Sequence, residues 1–169
     1  MDKSAIISPC GRYRYLLERR WRPGNLSVLF VMLNPSTADS DKDDPTLRKC
    51  IKYAQSFGYD HLSVTNLFAW RATDPRALPS DAAMAIGPDN DIHLREVLTG
   101  TSTITVTPAP SLVICAWGTK GTKWGRDKEV LALIRQYHQP SALWVTDQGH
   151  PAHPLYLPND VNPRPYTGR

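Results

Sequence analysis

Apolar residues along the chain recur in two alternating patterns. Residues 28–33, Val-Leu-Phe-Val-Met-Leu, form the longest apolar run. It is short enough for a strand and apolar on both faces, as expected for a central strand of a covered, parallel sheet. Residues 61–67 form a second strand, residues 111–117 a third, buried one, and residues 141–145 the last. Between them apolar residues return at helical spacing. Leu47, Cys50, Ile51, Ala54 and Phe57 share one face, opened by Asp44-Pro45 as N-cap and first helical residue and ended by Gly58. Gly87-Pro88-Asp89-Asn90 opens a second helix with Leu94, Val97 and Leu98 inward. A third turns Val130, Leu133, Ile134 and Tyr137 inward. Ahead of these, residues 13–21 alternate imperfectly and are rich in Tyr and Arg, predicting an edge strand with one solvated face before a turn at 22–25. Residues 68–86 predict a loop. Residues 99–110, low in charge and rich in Thr, leave a short strand and a loop both open.

Strands alternating with helices predict a three-layer α/β/α sandwich with a short, mainly parallel central sheet. One domain is expected over residues 1–169: an N-terminal edge strand and turn (1–26), the α/β core (27–158) and a proline-rich surface tail (159–169). With 169 residues the chain is long enough to bury a core without disulfide or metal staples. The three cysteines, Cys10, Cys50 and Cys115, are odd in number and widely spaced, as expected of reduced thiols in a cytoplasmic protein. Neither a secretory leader nor a membrane span is predicted. The net charge of +4 is compatible with an anionic partner without requiring one.

Each predicted parallel strand is followed by an unusual cluster: Asn34-Pro35-Ser36-Thr37, Asn66 to Arg71, Trp117 to Gly121, and Thr146 to His150. The C-terminal ends of parallel strands share one edge, where ligands bind. Four segments distant in sequence are therefore expected at one site. Phosphate-loop and dinucleotide glycine motifs are absent. Present instead are amides, which suit the edge of a heterocycle, and rings that offer stacking faces. Base or nucleotide recognition follows. Asn66, Phe68, Trp70 and Trp117 are the candidate base-binding residues. Ser36, Thr37, Arg71, Gly118, Lys120, Lys123 and Arg126 are the candidate contacts to a nucleic-acid backbone. Trp124 and Trp144 are expected to pack. His150 and His153 lack the companion residues of a metal site, and Asp39, Asp41, Asp43 and Asp44 lack the Gly and Glu of a calcium loop, so no metal or other cofactor is expected and the acidic loop is read as solvated.

Taken together, residues 32–75, the GPDND at 87–91, the AWG at 116–118 and the GHPAHPLYLP at 149–158 resemble the bacterial and phage domain of unknown function 1643 family over nearly the whole chain. That kinship carries no activity. The order of landmarks also resembles the uracil-DNA glycosylase superfamily, and implies a fold of that kind. In this resemblance Leu33-Asn34-Pro35-Ser36 matches the motif whose Asp or Asn positions the hydrolytic water. Asn66 matches the amide that reads the base edge, and His150-Pro151 or His153-Pro154 matches the His-Pro motif. The first motif here lacks a preceding Gly, and the His-Pro pairs lie some residues beyond the strand. Phe68 or Trp70 would be the stacking ring and Leu155 or Leu157 the wedge. The implied activity is hydrolysis of the N-glycosidic bond of a modified or damaged base, with Asn34 and His150 or His153 catalytic and DNA or a nucleotide as partner. No membrane and no obligate protein partner is implied. Two alternatives stand beside it: a non-catalytic nucleic-acid or nucleotide binding module, and another hydrolase or transferase with a histidine base.

Overall fold

A computed structural model describes residues 1–169. Seven strands form one sheet: β1 (Asp2–Ile7), β2 (Arg14–Arg20), β3 (Ser27–Met32), β4 (His61–Asn66), β5 (Leu112–Cys115), β6 (Pro140–Ala142) and β7 (Arg164–Pro165). Their spatial order is β1-β2-β4-β3-β5-β6-β7. The four central strands, β4-β3-β5-β6, are parallel. β1, β2 and β7 add antiparallel pairings on the two flanks, so the sheet is mixed. Four helices accompany it: α1 (Pro45–Ser56), α2 (Ala82–Ile86), α3 (Asn90–Thr99) and α4 (Arg126–Arg135).

The strands bury alternate side chains against two separate cores. On one face Val28, Phe30, Met32, Leu62, Val64 and Ile114 meet Leu47, Cys50, Ile51 and Ala54 of α1. On the other, Leu29, Val31, Val113 and Cys115 meet Leu94, Val97 and Leu98 of α3 and Val130, Leu133 and Ile134 of α4. The chain thus crosses from β3 to β4 over one face, and from β4 to β5 and β5 to β6 over the other. A reversal of that kind opens a crevice at the C-terminal ends of the strands flanking it, β3 and β5.

The N-terminal region departs from expectation. β2 is not an edge strand. Residues 2–7, which carry no strong pattern, form the edge, and β2 lies buried between β1 and β4. Its arginines misled the pattern because Arg14 and Arg19 are 4% and 0% exposed. Each is tied to backbone oxygens of the 34–44 loop: Arg14 Nη1 donates to Ala38 O at 2.7 Å, and Arg19 donates to Asp39 O and Lys42 O, with its Nε on Asp43 Oδ1 at 2.8 Å. That loop is correspondingly not a freely solvated acidic run. Asp39 accepts the Asp41 and Lys42 N–H groups, Asp43 pairs with Arg19, and Asp44 caps α1 by accepting from Leu47 N at 2.8 Å.

Smaller differences have local causes. α4 ends at Arg135, so Tyr137 lies beyond it and is exposed. The predicted 68–86 loop contains α2, whose N-cap Asp81 accepts from Met84 N. The last parallel strand stops at Ala142, and Val145 instead bridges Pro151. Residues 100–111 form no strand or helix. Within the tail, β7 extends the sheet and Tyr166 is buried against Trp117. Trp124 and Trp144 are 41% and 47% exposed rather than packed in the core. A cation covers each ring: Lys123 Nζ lies 4.4 Å from the Trp124 centroid, and the Arg164 guanidinium 4.7 Å from that of Trp144. No helix is long and apolar enough to cross a membrane.

Candidate functional site

A cavity of about 620 Å³ opens at the C-terminal edge of the parallel strands on the α1 side. β3 delivers Met32, Leu33 and Asn34 to it, β4 delivers Asn66, and β5 is followed there by Trp117, Gly118 and Lys120. The 34–44 loop contributes Ser36, Thr37 and Ala38, and the start of α1 contributes Asp44, Pro45 and Thr46. His153, Leu155 and Tyr156 form the remaining wall. At Gly118 the backbone has φ +73° and ψ −159°, a combination open essentially to glycine alone, and there the chain leaves β5 for the 3₁₀ segment Thr119–Gly125.

Asn34 is held by its amide nitrogen, which donates to Ala72 O at 2.8 Å and Pro35 O at 3.2 Å. Two carbonyl neighbours fix which end of the side chain is nitrogen, and they leave Oδ1 as a free acceptor. Asn66 is 2% exposed and its Oδ1 has no partner; Trp117 is equally buried and its Nε1 has none. A native interior rarely leaves such groups unpaired, and both atoms are closed off from solvent behind the cavity wall. Arg14 reaches the same cavity with its Nε unpartnered. Burial draws its pKa down to about 10, with the charge of Asp44 opposing that fall.

His153 is the histidine that lines the cavity. Its Nδ1 accepts the Leu155 N–H at 3.3 Å, so the neutral ring carries its proton on Nε2. Burial lowers its pKa below the ordinary value, against the opposing pull of Asp44. At neutral pH the ring is therefore an uncharged Nε2–H donor. His150 lies elsewhere. It is 9% exposed, outside the cavity wall, in the tight connection where Thr146 N donates to His150 O and His150 N donates to Thr146 Oγ1.

Of the other expected site residues, Ser36, Thr37, Asn66, Trp117, Gly118 and Lys120 meet at this cavity, whereas the cluster after β4 turns away from it. Phe68 is fully buried in the core beneath α3 and α4, so it offers no stacking face. Trp70 stands edge-on to Tyr13 at 5.7 Å, and Arg71 donates to Gly11 O. Both brace the N-terminal segment. Lys123 lines a neighbouring groove of about 480 Å³ with Arg76 and Lys120. Arg126 is a correction. It is 2% exposed, donates Nε to Leu67 O at 2.9 Å and pairs with Asp91 and Glu129, so no phosphate meets it without breaking the fold. Leu155 lines the cavity, while Leu157 packs against the α1-side core.

Two charged lining residues, Arg14 and Asp44, escaped the pattern. Arg14 looks like a solvated strand residue until β1 covers the edge. Asp44 looks like a helix cap, which it is, and only the three-dimensional arrangement adds the cavity. No cluster of three or more metal-ligating side chains is present.

A family model described as Protein of unknown function (DUF1643) matches residues 14–155. The chain belongs to the DUF1643 family. The match spans every cavity-lining segment except Tyr156, so the site belongs to the DUF1643 region itself. No curated protein and no solved structure matches the chain.

Proposed function

We propose that this protein is a DNA glycosylase-like enzyme, with a uracil-DNA glycosylase-like fold, that hydrolyses the N-glycosidic bond of a modified or damaged base held in the cavity. The observation that carries this reading is the fixed orientation of Asn34, whose amide nitrogen is consumed by Ala72 O and Pro35 O while Oδ1 stays free, in a cavity that Asn66, Trp117 and His153 also line. An acceptor held in this way orients a water without needing a charge.

The reaction breaks the C1′–N bond and leaves negative charge on the departing base. The neutral Nε2–H of His153 is suited to bind a base oxygen as that charge grows, and a fixed donor of this kind contributes about 10²- to 10³-fold in rate. Reading of the base edge is assigned to Asn66, a cavity-lining residue whose amide offers a donor and an acceptor together. A cavity of about 620 Å³ has room for a base and its sugar. A base in a duplex must first be flipped out to reach such a site.

A second reading, a nucleic-acid or nucleotide binding module, is favoured by the same Asn34 bonds, because they also brace the 34–37 loop against residue 72. Base release separates the two. Oligonucleotides carrying uracil, hypoxanthine, alkylated, oxidised and hypermodified bases, single- and double-stranded, are incubated with wild type and Asn34→Ala. Release by wild type that falls at least 100-fold in the variant is the expected result. Salt-sensitive binding without release from either protein would overturn the enzyme reading in favour of the binding module.

A further inference from the structure

We propose that Asp44 is the general base of this site, taking the proton from the water that Asn34 Oδ1 orients; the inference rests on the glycosidase reading above. Asp44 is the sole carboxylate among the cavity-lining residues. Of the other acidic residues in its loop, Asp43 is taken up by Arg19 and Lys3, and Asp39 and Asp41 lie outside the cavity lining. In Asp44 only Oδ1 is engaged, by the Leu47 N–H at 2.8 Å. Capping needs one acceptor atom, and Asn or Ser would supply it. The second carboxylate oxygen and the charge are surplus to that role.

The surroundings hold this carboxylate in place. The cap bond and Pro45 at the first helical position fix the Asp44 backbone and side chain. Residues 153–159 are fastened along the same helix: Tyr53 Oη donates to Pro158 O at 2.6 Å, and Lys49 Nζ to Asn159 Oδ1 at 2.7 Å. His153 and Asp44 therefore belong to two walls joined through α1. Arg14 and Lys120 line the cavity as cations, and the charge of Asp44 acts on both Arg14 and His153.

The step balances without a cofactor. Water oxygen forms the bond to C1′ and one water proton passes to Asp44. The C1′–N bonding pair leaves with the base, whose oxygen accepts a hydrogen bond from His153 Nε2–H. The proton on Asp44 is then returned, through solvent, to the base anion, giving a free base and a sugar hydroxyl.

Asp44→Asn tests this cleanly, because Asn keeps the cap acceptor and removes the base. Single-turnover release is measured for wild type, Asp44→Asn and Asn34→Ala on the oligonucleotide panel, with Tm as the fold control. The expected result is a 10²- to 10⁴-fold fall in the release rate for Asp44→Asn with Tm unchanged, and loss of the acidic limb of the wild-type pH–rate profile. Wild-type release that depends on Asn34 but is unaltered in Asp44→Asn overturns the role of Asp44 alone. Absence of release by wild type overturns the glycosidase reading and this inference with it. Should Asp44→Asn lower Tm, Asp44→Glu is the second variant: it restores a base, and a rate no better than that of Asp44→Asn overturns the proposal.

Discussion

Arg126 separates a structural cation from a nucleic-acid contact, and its surroundings set the expected cost of removing it. Its side chain is 3% exposed, while its partners Asp91 and Glu129 are 55% and 61% exposed. Ion pairs to carboxylates so open to water contribute little, about 0–1 kcal/mol each. Its main buried bond is Nε–H to Leu67 O, an oxygen that also accepts from Asn90 Nδ2 at 3.1 Å. Losing the arginine therefore leaves that carbonyl partnered, and the bond itself is worth about 1 kcal/mol. Arg126→Met keeps an apolar stem in the space and should cost about 1–2 kcal/mol. Arg126→Ala also gives up two buried methylenes at about 0.8 kcal/mol each, for a cost of about 3 kcal/mol. At about 2–4 °C per kcal/mol for a chain of this size, Tm should fall by about 4 °C in the first variant and about 10 °C in the second. Urea and thermal melts measure both. Binding of a labelled oligonucleotide across a salt series supplies the counter-test: the slope of log K against log salt should not change in Arg126→Met. A slope reduced by about 0.7–0.9, the value of one phosphate contact, with no loss of stability would refute the assignment of Arg126 to the fold.

Two further outcomes follow from buried groups. His61 is 2% exposed with neither ring nitrogen partnered, and burial brings its pKa down to about 4. The native ring stays neutral while the unfolded chain takes up a proton below about 6.5, so stability is held above that pH and lost progressively as pH falls from about 6.5 to about 4. Urea midpoints should decline over that window in wild type and show less decline in His61→Gln; equal slopes would remove His61 as the cause. At Gly121 an added Cβ would collide with Trp117 Cδ1 and come within 2.9 Å of Leu67 Cδ1. Gly121→Ala should displace the cavity-lining indole, lowering Tm and shifting Trp fluorescence together, and an unchanged emission spectrum would show that the ring had not moved.

The parallel core and its edge were written in the apolar pattern. β3 and β5 announce themselves because a strand covered on both faces must be apolar on both, and α1 does so through its Asp-Pro start and inward face. Knowing that parallel strands share one C-terminal edge was enough to bring Asn34, Asn66 and Trp117 together before any coordinate. Tertiary structure decided the rest. β2 reads as solvated because its arginines are polar, and only β1 on one side and the 34–44 loop on the other bury them, the loop accepting a hydrogen bond from each. Phe68 and Arg126 have the residue types of a binding site, but the direction of a side chain on leaving a strand or entering a helix depends on local backbone twist, which residue identity does not encode. His153 rather than His150 reaches the cavity because residues 153–159 run along α1, held by Tyr53 and Lys49 from 104 to 110 positions earlier in the chain. Contacts that long-range have no periodicity to betray them. Asp44, capping a helix and lining a cavity at once, shows the limit of local reading: its first role is fixed by its neighbours in sequence, its second only by its neighbours in space.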